Sequence, residues 1–335
     1  MIDFAAELAQ TPALYPQKYD AARDAVYFVR LNEAAYRAAS FLDDRVLTPG
    51  MQGAWRPFAE VASATQGAGG ALPLHFIFHT GHVGSTLLSR LIDEAGGVLG
   101  LREPLPLRTL AEMSDMPGGG ETFEARLAIF VRLWRRGFPG TKAVVLKATS
   151  SSGRLAPAAM RAAAGSKAVY LNLKAEPYLA TLLAGANALV DLRGFEQERS
   201  RRLSAAIGPV QPSSIGELAA MSWLAESLTR ARTLEMMGPR VLALDFDRML
   251  ADPGAALAGV LAHLGIAAPP GFAASVARSP VLTRYSKAPE QFAYSPEMRA
   301  QLLAQARAEF GGEIRRGLKF LEQLGARDAR VAAVL

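Results

Sequence analysis

The chain has 335 residues, half of them apolar, which allows two domains or one large α/β domain with helical additions. It has no cysteine, so disulfides, thiolate metal sites and cysteine nucleophiles are excluded. A formal charge of +6 favours anionic partners, but the arginines are scattered, densest at Arg199, Arg201 and Arg202, and no aromatic residues interleave with them. They read as solvated helix faces, and no nucleic-acid partner is expected.

The opening Met1-Ile2-Asp3-Phe4 carries no basic patch followed by an apolar run, and no window reaches the length that spans a bilayer. A cytoplasmic protein without a membrane span is expected; nothing in the sequence sets its oligomeric state. Residues 1–72 read as an N-terminal helical extension, with an amphipathic helix over 31–42 and a linker over 64–73. The core, 73–268, opens with an apolar strand at 74–79. A helix over 85–94 follows, and Gly96-Gly97 ends it. A second strand, 98–102, leads into Glu103-Pro104, where proline disfavours helix at the residue before it. Residues 114–120 read as a loop and 122–136 as a helix. The apolar run 142–147 reads as a buried parallel strand, and Ser150-Ser151-Ser152 as a cap for the next helix. A fourth strand is expected at 168–173, then a helix near Pro177 and mostly helix over 195–237. The fifth strand is 240–245, and the helix 253–264 stops at Gly265. The C-terminal region, 269–335, holds a polar stretch, 278–292, and helices over about 295–323. Met236-Met237 and Trp223 read as core. Asp43-Asp44-Arg45 reads as a salt-bridged turn or a packing corner.

Strands separated by helical segments predict an α/β protein: a P-loop-type three-layer fold, with a five-stranded parallel sheet and helices on both faces. Ligands of such sheets bind outside the carboxyl ends of the strands. There the sequence places Phe76-Ile77-Phe78-His79-Thr80-Gly81-His82-Val83-Gly84-Ser85-Thr86. This run is an apolar strand, a glycine turn and a helix start. The N–H groups of a first helical turn point at a bound anion, and the helix dipole adds about half a positive charge. Gly81, Gly84, Ser85 and Thr86 are therefore candidate anion ligands. The lysine that normally serves the β- and γ-phosphates in a nucleotide-hydrolysing loop is absent. No metal is expected. His75 and His79 would lie about 13 Å apart at roughly 3.3 Å per residue, too far to share one ion.

Three segments in order resemble the bacterial sulfotransferase family. Gly84-Ser85-Thr86-Leu87-Leu88-Ser89 resembles its Gly-Thr-Thr-Leu-Leu segment, and Arg102-Glu103-Pro104 its Glu-Pro after the second strand. Leu244 to Pro253 is similar to its late strand and Tyr-Glu-x-Leu-x-x-x-Pro continuation, with His263-Leu264-Gly265 as the closing Phe-Leu-Gly. The likeness spans residues 74–265. Two positions depart from it. His82-Val83 stands where the family has Arg-Ser or Lys-Ser. Leu173-Lys174-Ala175-Glu176-Pro177 stands in place of an Arg-Asp-Pro that holds a 3′-phosphate.

The resemblance implies sulfuryl transfer from 3′-phosphoadenosine 5′-phosphosulfate to a hydroxyl or amine of a small-molecule, glycan or lipid acceptor. It implies no metal. Glu103 is then the candidate base for the acceptor proton. His82 meets the charge on the departing oxygen if it is protonated or turns an N–H inward. Lys147 closes an apolar strand and either reaches an anion or snorkels to the surface. Lys174, Arg284 and Lys287 are candidates for a 3′-phosphate. Acceptor pockets are expected from residues 105–140 and 185–235. Two other readings stay open. One is a nucleotide-dependent kinase or NTPase with a degenerate loop, Thr86 and Asp245 serving magnesium. The other is a non-catalytic nucleotide-binding protein.

Overall fold

Alternation along five short apolar runs builds the core. In the computed structural model, which describes residues 4–66, 72–116, 120–287 and 293–335, these runs form one parallel sheet. Ahead of it, β1 (Leu14–Asp20), β2 (Ala25–Arg30) and β3 (Gly53–Pro57) form a separate antiparallel sheet. The parallel sheet holds β4 (Leu74–His79), β5 (Val98–Arg102), β6 (Ala143–Lys147), β7 (Ala168–Asn172) and β8 (Val241–Asp245), in the order β5-β6-β4-β7-β8. Successive residues of a strand face opposite ways. Phe76, Phe78, Leu99, Leu101, Val144 and Tyr170 accordingly join one apolar cluster, while Ile77, Val98, Val145 and Leu171 join another. Helices cover both faces, and the fold is three-layered α/β as expected.

The central strand is β4. Its outgoing connection passes beyond β6 to reach β5, and the chain later crosses to the other side to lay down β7 and β8. The direction of winding therefore reverses at the carboxyl end of β4, where ligands of such sheets sit. The glycine turn lies at that point.

β4 and β5 occupy the expected residues, and the other three strands fall within a residue of theirs. The helix Pro253–Leu264 stops at Gly265, whose φ of +74° lies in the left-handed region. Other elements differ. The N-terminal region, expected to be helical, contains the β1–β3 sheet. Its helix over 31–42 shrinks to Glu33–Ala38 with Asn32 as its cap. The shortening has a cause: Arg102 Nη1 donates to the carbonyls of Tyr36, Arg37 and Ala39 and fixes the chain's exit from the helix. A helix, Pro106–Ser114, fills a stretch given no element, and Gly120 already begins the helix Gly120–Trp134. The expected loop's residues 117–119 lie outside the described residues, as do 288–292 of the polar stretch. Ser150-Ser151-Ser152 do not cap a helix: they lie within the 3-10 helix Ser150–Leu155, and Thr149 at its cap makes no side-chain bond. Trp223 is buried as expected, but Met236 is exposed.

Candidate functional site

The turn after β4 is held in an unusual backbone conformation. Gly81, His82 and Gly84 have φ of +92°, +53° and +70°, values that glycine adopts freely and histidine does not. His79 anchors the turn from below. Gly81 N–H donates to its Nδ1 at 3.1 Å, so its Nε2 is the protonated nitrogen and donates to the Ala148 carbonyl at 2.9 Å. Tyr178 OH donates to the Thr80 carbonyl at 3.1 Å. The helix Ser85–Asp93 then starts on Gly84, which has no side chain to cap it. Within its first turns Thr86 Oγ1 and Ser89 Oγ are buried without a hydrogen-bond partner. Buried hydroxyls rarely stay unpaired. Bare helix N–H groups beside an orphaned hydroxyl fit an anionic group.

Glu103 closes the site from the β5 side. It is a non-glycine residue at positive φ, +54°, and its N–H donates to the Lys147 carbonyl at 2.7 Å. Lys147, at the end of β6, is fully buried and does not snorkel to the surface; its ammonium donates to Glu103 Oε1. Burial pushes the Lys147 pKa down, against the pull of Glu103. Glu103 Oε2 lies 3.9 Å from Arg108 Nη2. The N-terminal region roofs this pair. The Phe41 ring centre stands 5.7 Å from Lys147 Nζ, and the Arg45 guanidinium stacks on the same ring at 3.5 Å. Arg45 also pairs with Asp43, the salt-bridged turn anticipated at 43–45. Beside them opens a cavity of about 410 Å³ lined by Ala35, Ala39, Phe41, Arg45 and Lys287. Its lining comes from the N-terminal region and the C-terminal stretch.

His82 is half-buried, and its pKa is pushed down to about 3 by burial, with Lys287 and Arg199 adding to the effect. In the free protein this favours the neutral imidazole, the form that could turn an N–H inward. Lys287 is exposed, but its charge also acts on His79 and Lys147. It belongs to the site's surroundings. Lys174 and Arg284 are exposed and make no hydrogen bond or ion pair to the turn among the described residues. Asp245 accepts from Arg248 N–H at 3.0 Å and caps the helix Phe246–Ala251, which occupies the carboxylate assigned to magnesium in the kinase reading.

Arg199 was read as part of a solvated face and is not. It is 6% exposed, on the helix Glu196–Ile207. The signal was present: Leu203 is the apolar residue at the middle of that helix, and Arg199 lies one turn before it on the same face. Arg202 is drawn in the same way to Glu226, at 2.6 Å.

Solved structures that match this chain include sulfotransferases and a retinol dehydratase. The sulfotransferase domain from the curacin biosynthetic pathway is 11% identical, with a TM-score of 0.42 over 72% of this chain and 98% of that one. A sulfotransferase from Alicyclobacillus acidocaldarius is 17% identical, with a TM-score of 0.42 over 77% and 98%. Retinol dehydratase, solved with retinol and PAP, is 13% identical, with a TM-score of 0.30 over 81% and 89%. No protein-family model matches the chain, and no curated protein does. At these identities the likeness concerns the fold and gives no residue a role.

Proposed function

We propose that the chain is a sulfotransferase, moving the sulfuryl group of 3′-phosphoadenosine 5′-phosphosulfate to a hydroxyl or amine of a small-molecule, glycan or lipid acceptor. The observation that carries this reading is the turn itself: an uncapped helix start with Thr86 Oγ1 buried and unpartnered, at the winding reversal of the sheet, without a lysine. The N–H groups of Ser85 and Thr86 and the Thr86 hydroxyl hold the phosphosulfate, with Gly81 and Gly84 taking the positive φ that the turn requires. The reaction is an in-line displacement. The acceptor oxygen or nitrogen bonds to sulfur as the bond from sulfur to the bridging oxygen breaks, and that oxygen leaves on the nucleotide. Positioning and fixed charge carry such a reaction. Glu103 Oε2 takes the acceptor's proton, while Lys147 holds Oε1 and so aims the carboxylate. Neutral His82 donates an N–H to the departing oxygen. Lys287 serves a 3′-phosphate, with Lys174 and Arg284 as more remote candidates. The acceptor lies in the cavity over Phe41.

A thermal-shift panel tests the reading. 3′-Phosphoadenosine 5′-phosphate is expected to raise the melting temperature, with or without magnesium, and ATP to raise it much less. Stabilisation by Mg-ATP equal to or greater than that by the 3′-phosphorylated nucleotide rejects the assignment in favour of a nucleotide-hydrolysing or phosphoryl-transferring protein.

A further inference from the structure

Arg199 is a buried guanidinium with donors to spare. Its Nε and Nη1 have no hydrogen-bond partner. The nearest carboxylate oxygen, Glu226 Oε1, is 4.0 Å from Nε and is already engaged by Arg202 at 2.6 Å. The Phe195 ring is centred 5.2 Å from its guanidinium. An arginine is always charged and carries five donors, so leaving two of its nitrogens unsatisfied in the interior is costly. Its placement shows what would satisfy it. Glu226 sits one helical turn after Ser222, whose hydroxyl meets Tyr178 OH at 3.1 Å, and Tyr178 OH in turn holds the Thr80 carbonyl and would lie 3.5 Å from a β-carbon on Gly81. Through Glu226, Ser222 and Tyr178 the Arg199 side chain is thus linked to the turn whose helix carries the orphaned Thr86 hydroxyl.

We infer that Arg199 supplies the cation that holds an anionic group, a phosphate or sulfate, over the Gly81–Thr86 turn, in place of the lysine this loop lacks. The inference rests on the anion-cradle reading of the turn but not on the identity of the nucleotide. A planar guanidinium offers two parallel donors to such a group, which a lysine does not. It is also fixed on a helix, so little freedom is lost on binding.

The test uses inorganic pyrophosphate as probe, against sodium chloride at matched ionic strength, on the full chain. Wild type is expected to be stabilised by pyrophosphate. Arg199→Met is expected to lose roughly tenfold to a hundredfold in pyrophosphate affinity. Arg201→Ala, at an exposed position of the same helix, is expected to bind as wild type does. Full affinity in Arg199→Met overturns the inference and leaves Arg199 a structural partner of Glu226. If Arg199→Met does not fold, the Nε–H resonance of Arg199 in wild type decides: a shift on adding pyrophosphate supports the inference, and no shift overturns it. A parallel arm with 3′-phosphoadenosine 5′-phosphate separates the two claims. Pyrophosphate binding through Arg199 without nucleotide binding removes the sulfotransferase reading and keeps this one. Nucleotide binding that is equal in wild type and Arg199→Met does the reverse. Binding of neither probe by wild type removes both.

Discussion

Among the described residues, the non-glycine residues at positive φ are Asp24, His82 and Glu103, and two of them are the proposed reacting groups. A side chain in the left-handed region costs about 1 kcal/mol or more, and such residues gather where function holds them. At Glu103 the strain comes with a buried partner, so its replacement has two separable effects. Glu103→Gln is expected to lower turnover by about 10²–10⁴-fold, the usual worth of a positioned base, while donor binding stays. It is also expected to lower stability, because Lys147 then stays buried without a counter-charge. Adding Lys147→Met to Glu103→Gln restores the melting temperature but not the turnover. Near-wild-type turnover in the single variant removes Glu103 from the mechanism. Melting temperature and rate recovering together in the double variant would assign the pair a purely structural role.

At the scale of elements, the strand, turn and helix of residues 74–93 act as one unit, and its tightest point is Gly84. A β-carbon there would come within 2.0 Å of the Phe246 ring, on a backbone at φ +70°. Gly84→Ala is therefore expected to destabilise by about 2–4 kcal/mol, adding overpacking to backbone strain. Denaturant unfolding measures it. Phe246→Leu in the same chain is expected to recover the packing part and leave the strain; no recovery at all means that the ring is not what fills the space. This unit was legible in the sequence because a buried parallel strand shows itself as an unbroken apolar run and because glycines punctuate the turn. The antiparallel β1–β3 sheet was not legible. Its strands are mixed in character: β1 carries Pro16, Gln17 and Lys18, and most of β3 is exposed, so no clean period-2 signal marks either. The proposed site draws on the sequence where it follows the chain, at Gly84-Ser85-Thr86 and Glu103. Phe41 and Arg45, beside Lys147, were not legible, because they come from elements that no local motif connects to the turn.

At the scale of the whole molecule, three histidines that enter the fold around β4 govern the response to acid. His75 Nδ1 accepts from Lys167 N–H at 3.2 Å, and His79 has both ring nitrogens engaged as a neutral imidazole. Burial pushes the His75 pKa down to about 4 and that of His82 to about 3, and holds His79 low as well. In the unfolded chain the same groups take up protons near pH 6.5. Their folded pKa values are depressed, so the unfolded state binds more protons across this interval. Stability is complete above about pH 6.5 and declines as pH falls towards 4 and 3. At pH 4.5, two units below the unfolded value, keeping the His75 ring neutral costs about 2 kcal/mol relative to pH 7.5 and the half-buried His82 less, and His79 acts in the same direction. Carboxylates held low by arginines, such as Glu176 by Arg307 and Asp328 by Arg330, act in the same direction but at lower pH, since their ordinary values already lie near 4. Urea unfolding at pH 7.5, 6.0 and 4.5 separates the two sets. The expected outcome is a decline that begins near pH 6.5 and flattens in part in His75→Gln, where an amide oxygen can still accept from Lys167 N–H. Stability that holds level down to pH 4.5 would mean that these rings are hydrated or charged in the folded protein, and that the neutral His79 anchoring the glycine turn is wrongly assigned.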